Sequence, residues 1–188
     1  MLKNIWQKLR QRRIDNQGSI TVEFVIWFPV LMFWLIGTIV FFDAFKARGN
    51  LNTANATVSD IVSRNSEISE DYVNLLFVLQ TSMLPRTTNN GLRISSILFT
   101  GTPGNPASPG FYTVEWSGIA GSFIDELQVG DIPPGTMPDM YDTESVLLIE
   151  SSVPFEPLTA FFGITFRTLR SEITISPRYD ARVVWVNP

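Results

Sequence analysis

The groups able to do chemistry in this chain are its carboxylates, because its 188 residues include neither Cys nor His. Disulfide frameworks, thiolate or imidazole metal sites, Cys nucleophiles and His-based triads are therefore excluded. The adjacent acids Glu70 and Asp71, and likewise Asp125 and Glu126, cannot flank one bond, since neighbouring residues on a helix or strand point apart. They read as solvated capping acids. Asp139, Asp142 and Glu144 share one loop but lack the Asp-x-Asp-x-Asp-Gly spacing and distant Glu of a calcium loop, so a surface acidic loop is expected, with no metal. A Ser-Lys nucleophile has no candidate either, because the only Lys after the apolar run described next is Lys46, at its boundary. No catalytic residue and no cofactor is expected. One carboxylate stands apart: Glu23 lies at the mouth of a long apolar run, where an isolated charge is costly and a paired one much less so.

That run covers residues 24–42, nineteen positions without a charge. As a helix it measures about 28 Å, close to the hydrocarbon thickness of a bilayer. Thirteen of its residues are Leu, Ile, Val or Phe. At roughly −0.4 kcal/mol each they favour insertion by about 5 kcal/mol, more than one carboxylate at the edge opposes. Five basic residues precede it, Lys3, Lys8, Arg10, Arg12 and Arg13, against Lys46 and Arg48 just after. The positive-inside bias then holds the N-terminus in the cytoplasm and turns the remainder outward. With Asp15, the first 18 residues carry +4, leaving −8 for the rest of a chain whose total is −4. An acidic body is a poor partner for phosphates, so no nucleic acid is expected. A removable signal peptide is the competing reading. Its apolar region is shorter, though, and ends at a small-x-small site, whereas Asp43-Ala44-Phe45-Lys46 follows here. A retained anchor is expected, in contact with membrane lipid.

Immediately upstream stands Gln17-Gly18-Ser19-Ile20-Thr21-Val22-Glu23-Phe24, a Gly, four uncharged residues and a Glu. This resembles the processing site of type IV class prepilins. Including Pro29, the stretch Gly18-Ser-Ile-Thr-Val-Glu-Phe-Val-Ile-Trp-Phe-Pro29 is similar to the opening of TadE-like minor pilins, the pseudopilins of tight-adherence (Flp/Tad) pili. The resemblance covers roughly residues 12–45, with weaker echoes at the C-terminus around Arg182. It implies that a prepilin peptidase cuts between Gly18 and Ser19, that Glu23 is the assembly residue, and that Pro29 kinks the helix. The new Ser19 α-amine, protonated at neutral pH, lies one helical turn from Glu23, so amine and carboxylate of neighbouring subunits can pair. Ordinary type IV pilins carry a Phe where this chain has Ser19. Implied partners are other pilins and minor pilins and an inner-membrane pilus assembly platform. Minor status follows because major pilins of that system are far shorter.

Beyond the run, Ala44, Ala47, Leu51, Ala54, Val58, Ile61 and Val62 recur at three- and four-residue spacings, extending the helix with one apolar stripe. That stripe fits a stalk packed in a pilin bundle or a helix covering its own domain. A second helix is expected over residues 70–84, capped by Ser69, with Tyr72, Leu75, Leu76, Leu79 and Met83 on one side and Pro85 ending it. Strands are expected over 92–99, 111–116 and 145–153. In the second, Tyr112, Val114 and Trp116 share a face; in the third, Val146-Leu-Leu-Ile149 marks a central strand buried on both sides. The Pro- and Gly-rich residues 101–110 read as a hairpin connection. Residues 173–175 with 180–186 read as one bulged or two short strands. Phe155, Phe161, Phe162 and Phe166 form either a subunit contact or the cover of the sheet, the cover being the better fit.

The expected fold is α+β: a long N-terminal transmembrane helix, a second helix and a small, mostly antiparallel periplasmic sheet. Its parts are a basic prepilin leader (1–18), the transmembrane helix and stalk (19–66) and a periplasmic α+β domain (67–188). The resemblance implies a non-enzymatic minor pilin in the bacterial inner membrane, able to enter the pilus after processing. The alternative is a permanently anchored single-pass protein with a periplasmic interaction domain.

Overall fold

In the computed structural model the charge-free run becomes the first half of a single helix, α1 (Gln17–Ser63). The structure describes residues 17–84, 89–101, 110–122, 125–132, 137–157 and 166–187, with side chains from residue 20 onward. Lys3, Lys8, Arg10, Arg12 and Arg13, expected to form a basic leader, Pro85, expected to end the second helix, and Phe161 and Phe162 lie outside these residues. The chain divides into two compact units, Met1–Asp43 and Ala44–Pro188.

In the first unit nearly every large apolar side chain of α1 is exposed, from Ile20 at 70% to Phe42 at 70%. A helix that is apolar on every side suits apolar surroundings rather than water. Among the described residues it is the one helix long and apolar enough to cross a membrane.

The second unit is an α+β fold around one antiparallel sheet. Its strands are β2 (Gly91–Thr100), β3 (Phe111–Gly121), β4 (Ser145–Phe155) and β5 (Arg167–Ile175), in the order β3-β2-β4-β5. Strand β4 is the central strand its apolar run demands. Leu147 and Ile149 point to one side, where Val58 and Val62 of α1 and Val73 and Leu76 of the next helix complete a core. Val146 and Leu148 point to the other, where Leu127 and Met140 cover them with Ile97 and Phe99 of β2. Leu51, Ala54, Val58 and Val62 are all fully buried. The stripe on the second half of α1 is thus the cover of its own domain.

Helix α2 (Glu70–Met83) begins where its cap dictates. Ser69 is extended, its hydroxyl accepts from the Tyr72 N–H, and Glu70 and Asp71 occupy the first turn. Its buried face differs from the expected one: Val73, Leu76 and Gln80 face inward, whereas Leu75 is 62% exposed. Gln80 takes an interior place because polar partners wait there. Its amide donates to Ser151 Oγ, which in turn donates to Asn55 Oδ1 at 2.7 Å. Asn55 Nδ2 donates to the carbonyls of Ser171 at 3.1 Å and Ile149 at 3.3 Å. One amide on α1 thereby binds β4 and β5 together.

A second correction concerns Trp116. The register of β2 with β3 shifts between Ser96 and Ile97, so Glu115 is an extra residue with no partner opposite. Tyr112 and Val114 therefore pack on one side of the sheet and Trp116 on the other. There Trp116 meets Trp185, ring centroids 5.4 Å apart, and donates to the Val183 carbonyl at 2.7 Å. A Cβ at Gly118 would come within 2.8 Å of the Trp185 ring, so only glycine admits this contact. The C-terminal residues resolve into two strands in different sheets: β5, and β6 (Val184–Trp185), which pairs in parallel with β1 (Glu67–Ile68). Of the aromatic group, Phe155 is buried at the end of β4 and Phe166 is exposed.

Asn55→Ala removes a partner from the Ile149 and Ser171 carbonyls and from the Ser151 and Ser171 hydroxyls, four groups, and should destabilise the fold by about 1–3 kcal/mol. Asn52→Ala, exposed on the same helix, should stay within about 0.5 kcal/mol. Denaturant unfolding of the full chain in detergent micelles measures both.

Candidate functional site

The site is built by the first turns of α1. Gly18 and Ser19 are helical, at the head of the described part of α1. Glu23 follows one turn after Ser19, with its side chain exposed. Among the described residues no basic group pairs with it. Phe24 packs on Phe28 one turn further along, ring centroids 5.3 Å apart. The arrangement is one exposed carboxylate at the head of a long apolar helix.

Helix α1 continues through Pro29. Having no N–H, Pro29 leaves the Val25 carbonyl without the bond a helix normally returns to it, a weak point six residues after Glu23. Hydropathy alone overlooks a further regularity in this stretch. Trp27, Trp34 and Phe41 recur every seven residues and all three are exposed.

In the second unit the charged groups serve the fold. Arg93 and Glu150 are cross-strand partners that form a two-point ion pair, Nε to Oε2 at 2.7 Å and Nη2 to Oε1 at 2.8 Å. Both side chains are almost buried, at 12% and 9% exposure. Arg93 also donates to the Asp125 carbonyl. Glu115, the bulge residue, accepts from Ser96 and Arg182, and Asp60 pairs with Arg64 and Arg178. Asp142 accepts from the Gly101 N–H and Glu144 from the Tyr141 N–H, so these loop acids close turns. Asp139 brings no third carboxylate to them: among the described residues no three acidic side chains converge as a metal site. No family model, curated protein or solved structure matches the chain.

The ion pair of the second unit gives a test of the division of labour. Arg93→Met leaves Glu150 charged and nearly buried without its partner, and should cost about 3–5 kcal/mol. Arg182→Ala, at an exposed pair, should cost at most about 1 kcal/mol. Unfolding curves of the two variants distinguish these outcomes.

Proposed function

We propose that this chain is a TadE-like minor pilin, a non-enzymatic subunit that helps assemble a tight-adherence pilus. Its α1 helix anchors it in the inner membrane, N-terminus in the cytoplasm, and residues 44–188 fold on the periplasmic side. The observation that carries the reading is the placement of Ser19 one helical turn before Glu23, at the start of a helix whose apolar flank is exposed. A prepilin peptidase hydrolyses the Gly18–Ser19 bond, leaving a carboxylate on Gly18 and an amine on Ser19. The freed amine of one subunit then neutralises Glu23 of another. In apolar surroundings that pairing offsets a large charge-burial cost and sets how far each subunit advances relative to its neighbour.

Subunit extraction by an assembly platform also fits Pro29. The unpaired Val25 carbonyl weakens the helix where it must bend or stretch between a lipid and a protein environment. A permanently anchored protein with a periplasmic interaction domain is the competing reading, in which the leader stays attached and Glu23 remains at headgroup depth.

Coexpression with a matching prepilin peptidase should remove residues 1–18, seen by intact mass, and Gly18→Lys should abolish the loss. An unchanged mass in the parent chain favours the permanent anchor. Glu23→Val should be inserted and cut normally yet be missing from purified pili on immunoblots; wild-type incorporation would show that the carboxylate plays no part in assembly.

A further inference from the structure

Half of the eight described basic residues in the second unit are engaged: Arg64, Arg93, Arg178 and Arg182 form ion pairs. The others, Lys46, Arg48, Arg167 and Arg170, are exposed and take no acid as a partner among the described residues. Three of these four collect at one end of the unit. Their places follow from the hydrogen bonds that Asn55 of α1 makes to the carbonyl and hydroxyl of Ser171 on β5. Leu51 and Ala54 share a cluster with Leu169, and Val58 and Val62 share one with Ile175, so helix and strand run side by side in the same direction. Arg48 precedes Asn55 by seven residues, two helical turns, and lies on the side of α1 that meets β5. Arg167 precedes Ser171 by four, an even number, and lies on the face of β5 that meets α1.

Measured along helix and strand from the Asn55–Ser171 contact, Arg48 lies about 10 Å away, and Lys46 and Arg167 about 13 Å. Two rings lie just beyond them, Phe45 and Phe166, both about 15–17 Å from the contact. Phe45 is 73% exposed and Phe166 66%. Rings outermost with cations one step behind is the order that a bilayer interface favours. We infer that this end of the second unit docks on the anionic phosphate groups of the lipid leaflet that α1 enters, with Arg48 and Arg167 as the two arms of a phosphate clamp and Lys46 beside them. The inference rests on the reading of α1 as a membrane anchor and not on pilus assembly.

Continuity along α1 identifies the partner as lipid. The charge-free run ends at Phe42, and Lys46 and Arg48 follow it on the same helix by about 6 and 9 Å, the depth at which a headgroup layer about 5–8 Å thick ends. Two guanidinium groups left unpaired side by side repel until an anion comes between them, and each presents a planar fork suited to phosphate oxygens. The rest of the unit supplies the contrast. Residues 44–188 hold 9 Lys or Arg against 15 Asp or Glu, so an anionic surface repels most of this unit and attracts this end. Two acids border the cluster, Asp43 and Glu156, and neither forms an ion pair with it. Arg170 is an internal control. It stands on the opposite face of β5, about 10 Å further from the rings than Arg167.

Because the chain has no Cys, the substitution T168C, next to Arg167, places one spin label at one known position. The labelled full-length chain is reconstituted in vesicles of phosphatidylcholine alone and in vesicles rich in phosphatidylglycerol, and the label's collisions with a neutral, water-soluble nickel chelate are measured. Collisions should be several-fold fewer with phosphatidylglycerol. Arg48→Gln combined with Arg167→Gln should abolish that difference, and Arg170→Gln should keep it. Equal collisions in the two lipids, a difference that survives the double substitution, or an equal loss from Arg170→Gln overturns docking at this end. Salt tests the contact with both arginines in place: about 1 M shortens the Debye length to about 3 Å and should release the label, and undiminished protection overturns the clamp. Inorganic phosphate added to the phosphatidylcholine vesicles should leave the label as open as before; protection by phosphate alone would show a free-anion site and overturn docking on lipid. A label at L35C, within the charge-free run, separates the two claims. If it is open to the chelate, the anchor reading and this inference fall together; if it is shielded in both lipids while T168C shows no difference, this inference alone falls.

Discussion

Four consecutive apolar residues in one strand cannot be satisfied by a sheet with a wet face, and this constraint organises the second unit. Val146, Leu147, Leu148 and Ile149 point alternately to both sides of β4, and all four are fully buried. One side is closed by the second half of α1 together with α2; the other is closed by the segment that contributes Leu127 and Met140. Each cover is a separate piece of chain, and each has to be polar on its outer surface. The composition of the second half of α1 follows: Leu51, Ala54, Val58 and Val62 inward, Asn52 and Thr53 outward. The first half of the same helix has no such alternation: nearly all its large apolar side chains are exposed, on every side.

What could be read from residue order and what could not divide along the range of the forces involved. Helix α2 was legible to within a residue, since its cap and first-turn acids act over three or four positions. Strand β2 was legible to the same margin and the starts of β3 and β4 to the residue, but β3 runs five residues and β4 two residues further than their local patterns indicated. The inward place of Gln80 was not legible, because it depends on Ser151, 71 residues away. Trp116 was assigned to the wrong face for a related reason: the bulge at Glu115 is a property of the pairing of two strands and has no signature in either alone. Strands β1 and β6 are two residues long each, too short for any periodicity to register.

The candidate site shows the same divide. Gly18, Ser19, Glu23 and Pro29 are neighbours along one helix, so their relative placement follows from helical geometry and was legible in full. The exposure of Glu23 and Pro29 follows from an apolar run with no domain of its own to cover. The partner that Glu23 requires is supplied by another molecule in the proposed function, and no pattern within this chain describes it. The aromatic series was present in the residue order yet invisible to a reading of hydropathy, which scores Trp and Phe without regard to the side of the helix they occupy.

The pairing of β1 with β6 joins positions more than a hundred residues apart, and Val183 and Trp185 pack against the main core from the last residues of the chain. Contacts between such distant points form late, since a long loop must close before they return any stability. On a ribosome, the apolar half of α1 has left the exit tunnel long before Trp185 is even synthesised. The second unit thus acquires its final closure only after the long apolar helix is complete and free of the ribosome, an order of events written into where the last strand is tied.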